Sequence, residues 1–142
     1  MKNTTSVWIT LNNHITMDGQ SDTVGIEVAG TCVYKDGADV YLLSYKEQDT
    51  DGTVTDVSVL LGADHGAVSR KGPVNSFMKL TAGKRETCTF ETPMGNLLAD
   101  VELLSCSREQ QRDGFRWELH YHMYFGPGEP ADHHMIITAK PI

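Results

Sequence analysis

From Phe115 onward the chain alternates strictly. Phe115, Trp117, Leu119, Tyr121, Met123 and Phe125 are apolar, while Arg116, Glu118, His120, His122 and Tyr124 take the positions between them. A period of two sends successive side chains to opposite faces of a pleated strand, so one face is apolar and the other polar. Gly126-Pro127-Gly128-Glu129-Pro130 cannot continue that strand, because proline offers no N–H to a ladder and glycine favours reversal. Met135, Ile137 and Ala139 then alternate with His134, Ile136 and Thr138, which lays a second apolar row beside the first. The stretch from Gly114 to Lys140 is therefore predicted to be a hairpin with one buried and one solvated face.

The same grammar runs through the rest of the chain. Val7, Ile9, Leu11, Ile15 and Met17 keep one parity, interrupted by Asn13, and Asp18-Gly19 closes the strand as a turn. Val24, Ile26, Val28, Cys32 and Tyr34 carry the period onward, with Gly30 at an inward position where a bulge or bend would relieve curvature. Val40 to Glu47 is apolar on both faces for part of its length, so its parity is open. Further strands are expected at Val54–Leu61, Ala67–Lys71, Asn75–Thr81 and Arg85–Thr92, each bounded by Gly, Pro or Asp turn signals. In Asn96–Arg112, Leu97, Leu98, Val101 and Leu104 fit a helical stripe, and Leu97, Ala99, Val101 and Leu103 fit a strand; we read a strand. No repeat, linker or low-complexity tract interrupts this order. Short turns between many strands predict an all-β, single antiparallel, mostly up-and-down β-barrel of about eight to ten strands, occupying residues 1–142 as one domain.

Length and charge bound the function. At 142 residues a single core is large enough to need neither disulfides nor metal. The net charge of −7 repels phosphate backbones, so no nucleic-acid partner is expected. No apolar run approaches the ~20 residues of a membrane-spanning helix, and Met1 to Ser6 show no secretory pattern, so the expected location is the cytoplasm, with no membrane partner. Cys32, Cys88 and Cys106 are odd in number and lack C-x-x-C spacing, which makes free, buried thiols the expected state. Seven acids lie between Asp36 and Asp64, while His65 to Arg85 holds five bases and no acid. Cross-strand charge pairing is the expected meaning; the alternative is a basic patch at Arg70, Lys71, Lys79 and Arg85 for an anionic ligand.

Several short motifs, in order, give a resemblance. Tyr41-Leu42 and Ser44-Tyr45 with Glu47, Arg70 with Gly72, Phe77 with Gly83, Phe90-x-Thr92-Pro93-x-Gly95, and Tyr121-x-Met123 before Gly126 resemble the YwiB-like family of small uncharacterised bacterial proteins, grouped with the calycin-type barrels. Phe90 and Met94 depart from the aromatic residues common there, tyrosine in the first case. The resemblance implies a calycin- or lipocalin-like barrel in a bacterial cytosol. It carries over no catalytic residue.

Three functions remain, in this order. The first is a non-catalytic barrel that binds a small molecule, with Trp117 and Tyr121 lining a lumen and Arg70, Lys71, Lys79 or Arg85 meeting an anionic group. The second is a metal-assisted enzyme: Glu118, His120 and His122 recur at two-residue spacing, with Cα atoms roughly 6.5–7 Å apart, and His134 on the return strand lies opposite or diagonal to His122, a set that suits a divalent metal. The third is a homodimer joined through the opposed acidic and basic segments. His133 faces the other way from His134, His14 and His65 stand alone, and no nucleophile elbow or phosphate-cradling loop is present.

Overall fold

The computed structural model describes residues 4–142; residues 1–3, which contribute to the expectation about targeting, lie outside the described residues. The ten strands are β1 (Thr4–Met17), β2 (Gln20–Lys35), β3 (Val40–Gln48), β4 (Val54–Leu61), β5 (His65–Lys71), β6 (Asn75–Thr81), β7 (Arg85–Thr92), β8 (Gly95–Gln111), β9 (Gly114–Tyr124) and β10 (Ala131–Pro141). Each pairs antiparallel with its sequence neighbours, and β1 pairs with β10, so the sheet closes into an up-and-down barrel. Among the described residues there is no helix, and Asn96–Arg112 lies almost wholly in β8, where Ala99, Val101 and Leu103 point inward. A register shift between Leu103 and Ser105 leaves Leu104 exposed, which accounts for the helix-like spacing of its leucines.

Inward rows fill the barrel. Trp117, Ile9, Leu43 and Ile137 are wholly buried, and Leu61, Leu80, Leu103 and Leu119 nearly so. On β3 the parity left open by the sequence resolves to Leu43 and Tyr45 inside. Phe125 departs from its row: it lies past the end of β9, 58% exposed, with its ring 6.1 Å from that of Phe90. Gly30 makes no bulge, since the β1–β2 register runs through it unshifted. Its role is close approach, because a Cβ there would lie 2.5 Å from the Ser44 carbonyl oxygen and 2.8 Å from Ile9 Cδ1.

Closure is uneven. β1 pairs with β10 from Val7–Pro141 to Thr16–Asp132, whereas β2 meets β3 only from Thr31 to Lys35 and β6 meets β7 only from Asn75 to Phe77. Beyond that last seam Ala82 leans on Leu103 of β8. The acidic and basic segments meet inside one chain where Arg70 pairs with Glu47, while Lys46 pairs with Asp56 within the acidic segment. All three cysteines are free, and burial raises the pKa of each thiol.

The β8–β9 turn offers a test of how tightly the barrel end is drawn. Gly114 has φ +122°, and a Cβ there would collide with the Ala139 carbonyl oxygen on β10. Gly114→Ala is expected to cost about 2–4 kcal/mol, through both the strained backbone and the displaced strand. Urea unfolding checks this, and a cost below about 0.5 kcal/mol would show that β9 and β10 are less close here.

Candidate functional site

Antiparallel order sets which turns share an end of the barrel. The β2–β3 and β8–β9 turns, the start of β1 and the end of β10 lie together, and among them is a recess of about 390 Å³ lined by residues that include Tyr34, Tyr41, Phe115, Cys32, Gln111 and Arg112. Its walls are aromatic because inward positions continue to the strand ends. Tyr34 and Tyr41 have ring centroids 4.7 Å apart, Tyr41 and Phe115 4.1 Å, and Trp117 lies beneath at 5.5 Å from Tyr41 and 5.6 Å from Phe115.

One acid organises this cup. Asp39, in the β2–β3 turn, accepts the Tyr34 hydroxyl at 2.8 Å, while Arg108 donates to the Asp39 carbonyl at 2.8 Å and to its carboxylate at 2.9 Å. The Tyr34 hydrogen bond, then that from Arg108, holds the Asp39 carboxyl below the usual carboxylate range. The guanidinium of Arg108 is in turn 5.3 Å from the centre of the Tyr41 ring. Tyr34 is therefore held by a hydrogen bond and Tyr41 by the Arg108 guanidinium, while Phe115 is held by packing against Tyr41 and Trp117.

The opposite end of the interior is polar. Asn13 Nδ2 donates to His133 Nδ1 at 3.1 Å, and the His133 ring stacks on Tyr121 with centroids 4.7 Å apart and planes 11° from parallel. Burial pushes Tyr121 and Tyr45 up to about 12. The Tyr45 hydroxyl and Asn13 Oδ1 are buried without a hydrogen-bond partner.

On the outer face of β9 and β10, His120 and His122 donate from Nε2 to one oxygen of Asp132, at 2.6 and 2.9 Å. The three ligand atoms lie within 4.8 Å of one another. His134 donates to Glu118 at 2.6 Å, and Arg116 pairs with the same carboxylate at 2.9 Å. Partial burial would raise Asp132, but hydrogen bonds and charge from His120 and His122 outweigh it and lower its pKa. His134, then Arg116, lowers Glu118.

The sequence-derived candidates are placed as follows. Trp117 and Tyr121 are 0% and 2% exposed, packed in the core rather than around open space. Arg70 points inward to Glu47, and Arg70 and Lys71 border a shallow groove of about 730 Å³ with Thr87, Thr89 and Glu91. Lys79 is exposed on β6, and Arg85 lies outside over the Tyr124 ring, 3.1 Å from Asp100, so the four bases do not converge. Glu118, His120, His122 and His134 do share one face, but as two groups. His134 is directly opposite His120, and Asp132 is the residue opposite His122. Asp132 had a signal: it shares the parity of His134 two residues earlier. His14 is not isolated, for closure sets it opposite His134 on β1, bonded to Thr23 at 3.0 Å. The aromatic cup had a weaker signal: Tyr34 and Tyr41 face each other across the β2–β3 hairpin, but Phe115 comes from β9, far away in sequence.

A family model described as domain of unknown function DUF1934 matches residues 9–137. The chain belongs to the DUF1934 family. This DUF1934 barrel is similar to the crystal structure of the ywiB protein from Bacillus subtilis, with a TM-score of 0.85 at 20% identity, covering 98% of this chain and 93% of that one. At that identity the likeness establishes the fold, and together with the family match it bears out the YwiB-like resemblance. No curated protein matches the chain.

Buried His133 gives a pH dependence of known sign. Burial lowers its pKa from the ordinary 6.5, with the Asp132 charge opposing. The unfolded chain then binds the proton more readily than the folded one, so stability present above 6.5 is lost as pH falls through the lowered folded-state value. Asp132 and Glu118 act in a separate window: their stabilisation is present above the ordinary carboxyl values of 3.8 and 4.5 and is lost at lower pH. The urea midpoint is expected to fall between about pH 7 and pH 5, and to fall less in His133→Gln. Parallel profiles would place the effect elsewhere.

Proposed function

We propose that this DUF1934 protein is a cytoplasmic, non-catalytic barrel that binds a small, planar, largely apolar molecule bearing an anionic group, in the cup at the β8–β9 end. The observation that carries this reading is the cup itself. Its volume of about 390 Å³ lies within the ~300–1,000 Å³ usual for small-molecule sites. Tyr34, Tyr41 and Phe115 present ring surface for stacking, and Arg112 and Gln111 supply polar contacts at the rim.

Preorganisation supports the same reading. The Asp39 contacts hold Tyr34 and Arg108, and Tyr41 and Phe115 pack on each other and on Trp117, so less side-chain freedom is left to lose on binding. The packed middle of the barrel limits the ligand to the end, unlike a lipocalin-type lumen that runs deep between the sheets. Three free cysteines suit a reducing compartment.

The probe 8-anilinonaphthalene-1-sulfonate, a planar apolar anion, tests the cup. It is expected to bind once per folded chain with a dissociation constant of about 10–100 µM, and at least about tenfold more weakly to Phe115→Asp. Absence of saturable binding to the native protein, or equal binding by the folded variant, would contradict the proposal.

A further inference from the structure

The outer face of the β9–β10 hairpin lies outside the cup and has a chemistry of its own. We propose that His120, His122 and Asp132 form a site for one divalent transition-metal ion of the zinc class, ligated by the two Nε2 atoms and an Asp132 carboxylate oxygen. Two neutral imidazoles with one carboxylate are a donor set that suits such ions, whereas magnesium and calcium favour oxygen ligands alone.

The geometry fits with little change. A tetrahedral zinc ion with ligands at its usual distances sets their donor atoms about 3.3 Å apart. His120 Nε2 and His122 Nε2 now lie 2.6 and 2.9 Å from Asp132 Oδ1. The carboxylate therefore has to draw back by about 0.4–0.7 Å to admit the ion. Each imidazole moves its remaining proton to Nδ1 and turns the Nε2 lone pair to the metal, so two hydrogen bonds to Asp132 are exchanged for metal–ligand bonds.

The strands hold this arrangement before any ion arrives. His122 and Asp132 are direct cross-strand partners, and His120 lies two residues along the same face of β9. Asp132 is ionised, and Glu102 faces His122 from β8. The positive charge of Arg116 is engaged by Glu118. The side chains of His120, His122 and Asp132 are 38%, 28% and 40% exposed, so an ion can enter from solvent, and three protein ligands leave a coordination position for water. His134 stands outside the ligand set: its ring is 5.8 Å from that of His120, and Glu118 already holds it.

The test is a zinc titration of the full chain, free of any histidine tag and stripped with chelator. One zinc per chain is expected, with a dissociation constant below about 10 µM. His122→Gln and Asp132→Asn are each expected to weaken it at least about 30-fold, and His134→Gln less than about threefold. In the wild type, zinc should shift the ring resonances of His120 and His122 and leave those of buried His133 in place, while magnesium at equal concentration moves none of them. Should a variant fail to fold, these wild-type resonances decide alone. The proposal is overturned by no zinc binding below about 1 mM, by affinity unchanged in both ligand variants, or by His134→Gln weakening zinc as much as His122→Gln, which would put the ion on the Glu118–His134 pair.

Discussion

The ladder between the first and last strands is the constraint on which everything else depends. Without β1 beside β10 the sheet would have open edges, and Ile9, Leu11 and Ile137 would lose the neighbours that bury them. Closure also decides which polar groups meet. It sets Asn13 against His133 inside the barrel and His14 opposite His134 outside it, though 120 residues separate each pair in the chain. The length of this ladder contrasts with the short β2–β3 and β6–β7 seams, so the chain ends are joined by one of the longer seams of the barrel.

Filling follows from closure. Ten strands could enclose a wide lumen, but Trp117, Tyr121, Leu43, Leu61 and Leu119 pack across the middle, and the aromatic recess lies at one end. The interior becomes graded. The Tyr34, Tyr41 and Phe115 rings with Arg108 occupy one end, a mainly aliphatic core around Trp117 and Tyr121 the centre, and Tyr45, Arg70, Glu47, Asn13 and His133 the other end. Because a buried polar group must be paired or incur a desolvation cost, the partnerless Tyr45 hydroxyl and Asn13 Oδ1 mark where that polar end is least complete.

Much of this was legible in the sequence because strands report their faces directly. The alternation from Phe115 to Met123 gave the inner row of β9 residue by residue, and the Pro and Gly clusters marked the turns. Phe125 misled because parity cannot tell where a strand ends. Gly30 misled because a glycine in a strand reads alike whether it bends the backbone or lets a neighbour approach. The histidine face was half legible: spacing along β9 grouped Glu118, His120 and His122, but which residue of β10 faces each of them is set by hairpin register, and that register brings Asp132 to His122. The cup was not legible as a whole: Tyr34 and Tyr41 face each other across the local β2–β3 hairpin, but Phe115 and Arg108, on β9 and β8, join them only once the sheet has curved round on itself.

Amide hydrogen exchange of the β1 and β10 backbone measures that closure most directly. If the two strands seal the barrel, ladder amides from Ile9 to Leu11 and from Ile137 to Ala139 exchange only through global unfolding, as slowly as those of β9, and the free edge of β2 before Gly30 exchanges far faster. Rapid exchange of β1 at the level of that free edge would show an open sheet, and would contradict the account of the barrel on which the core, the cup and the histidine face all rest.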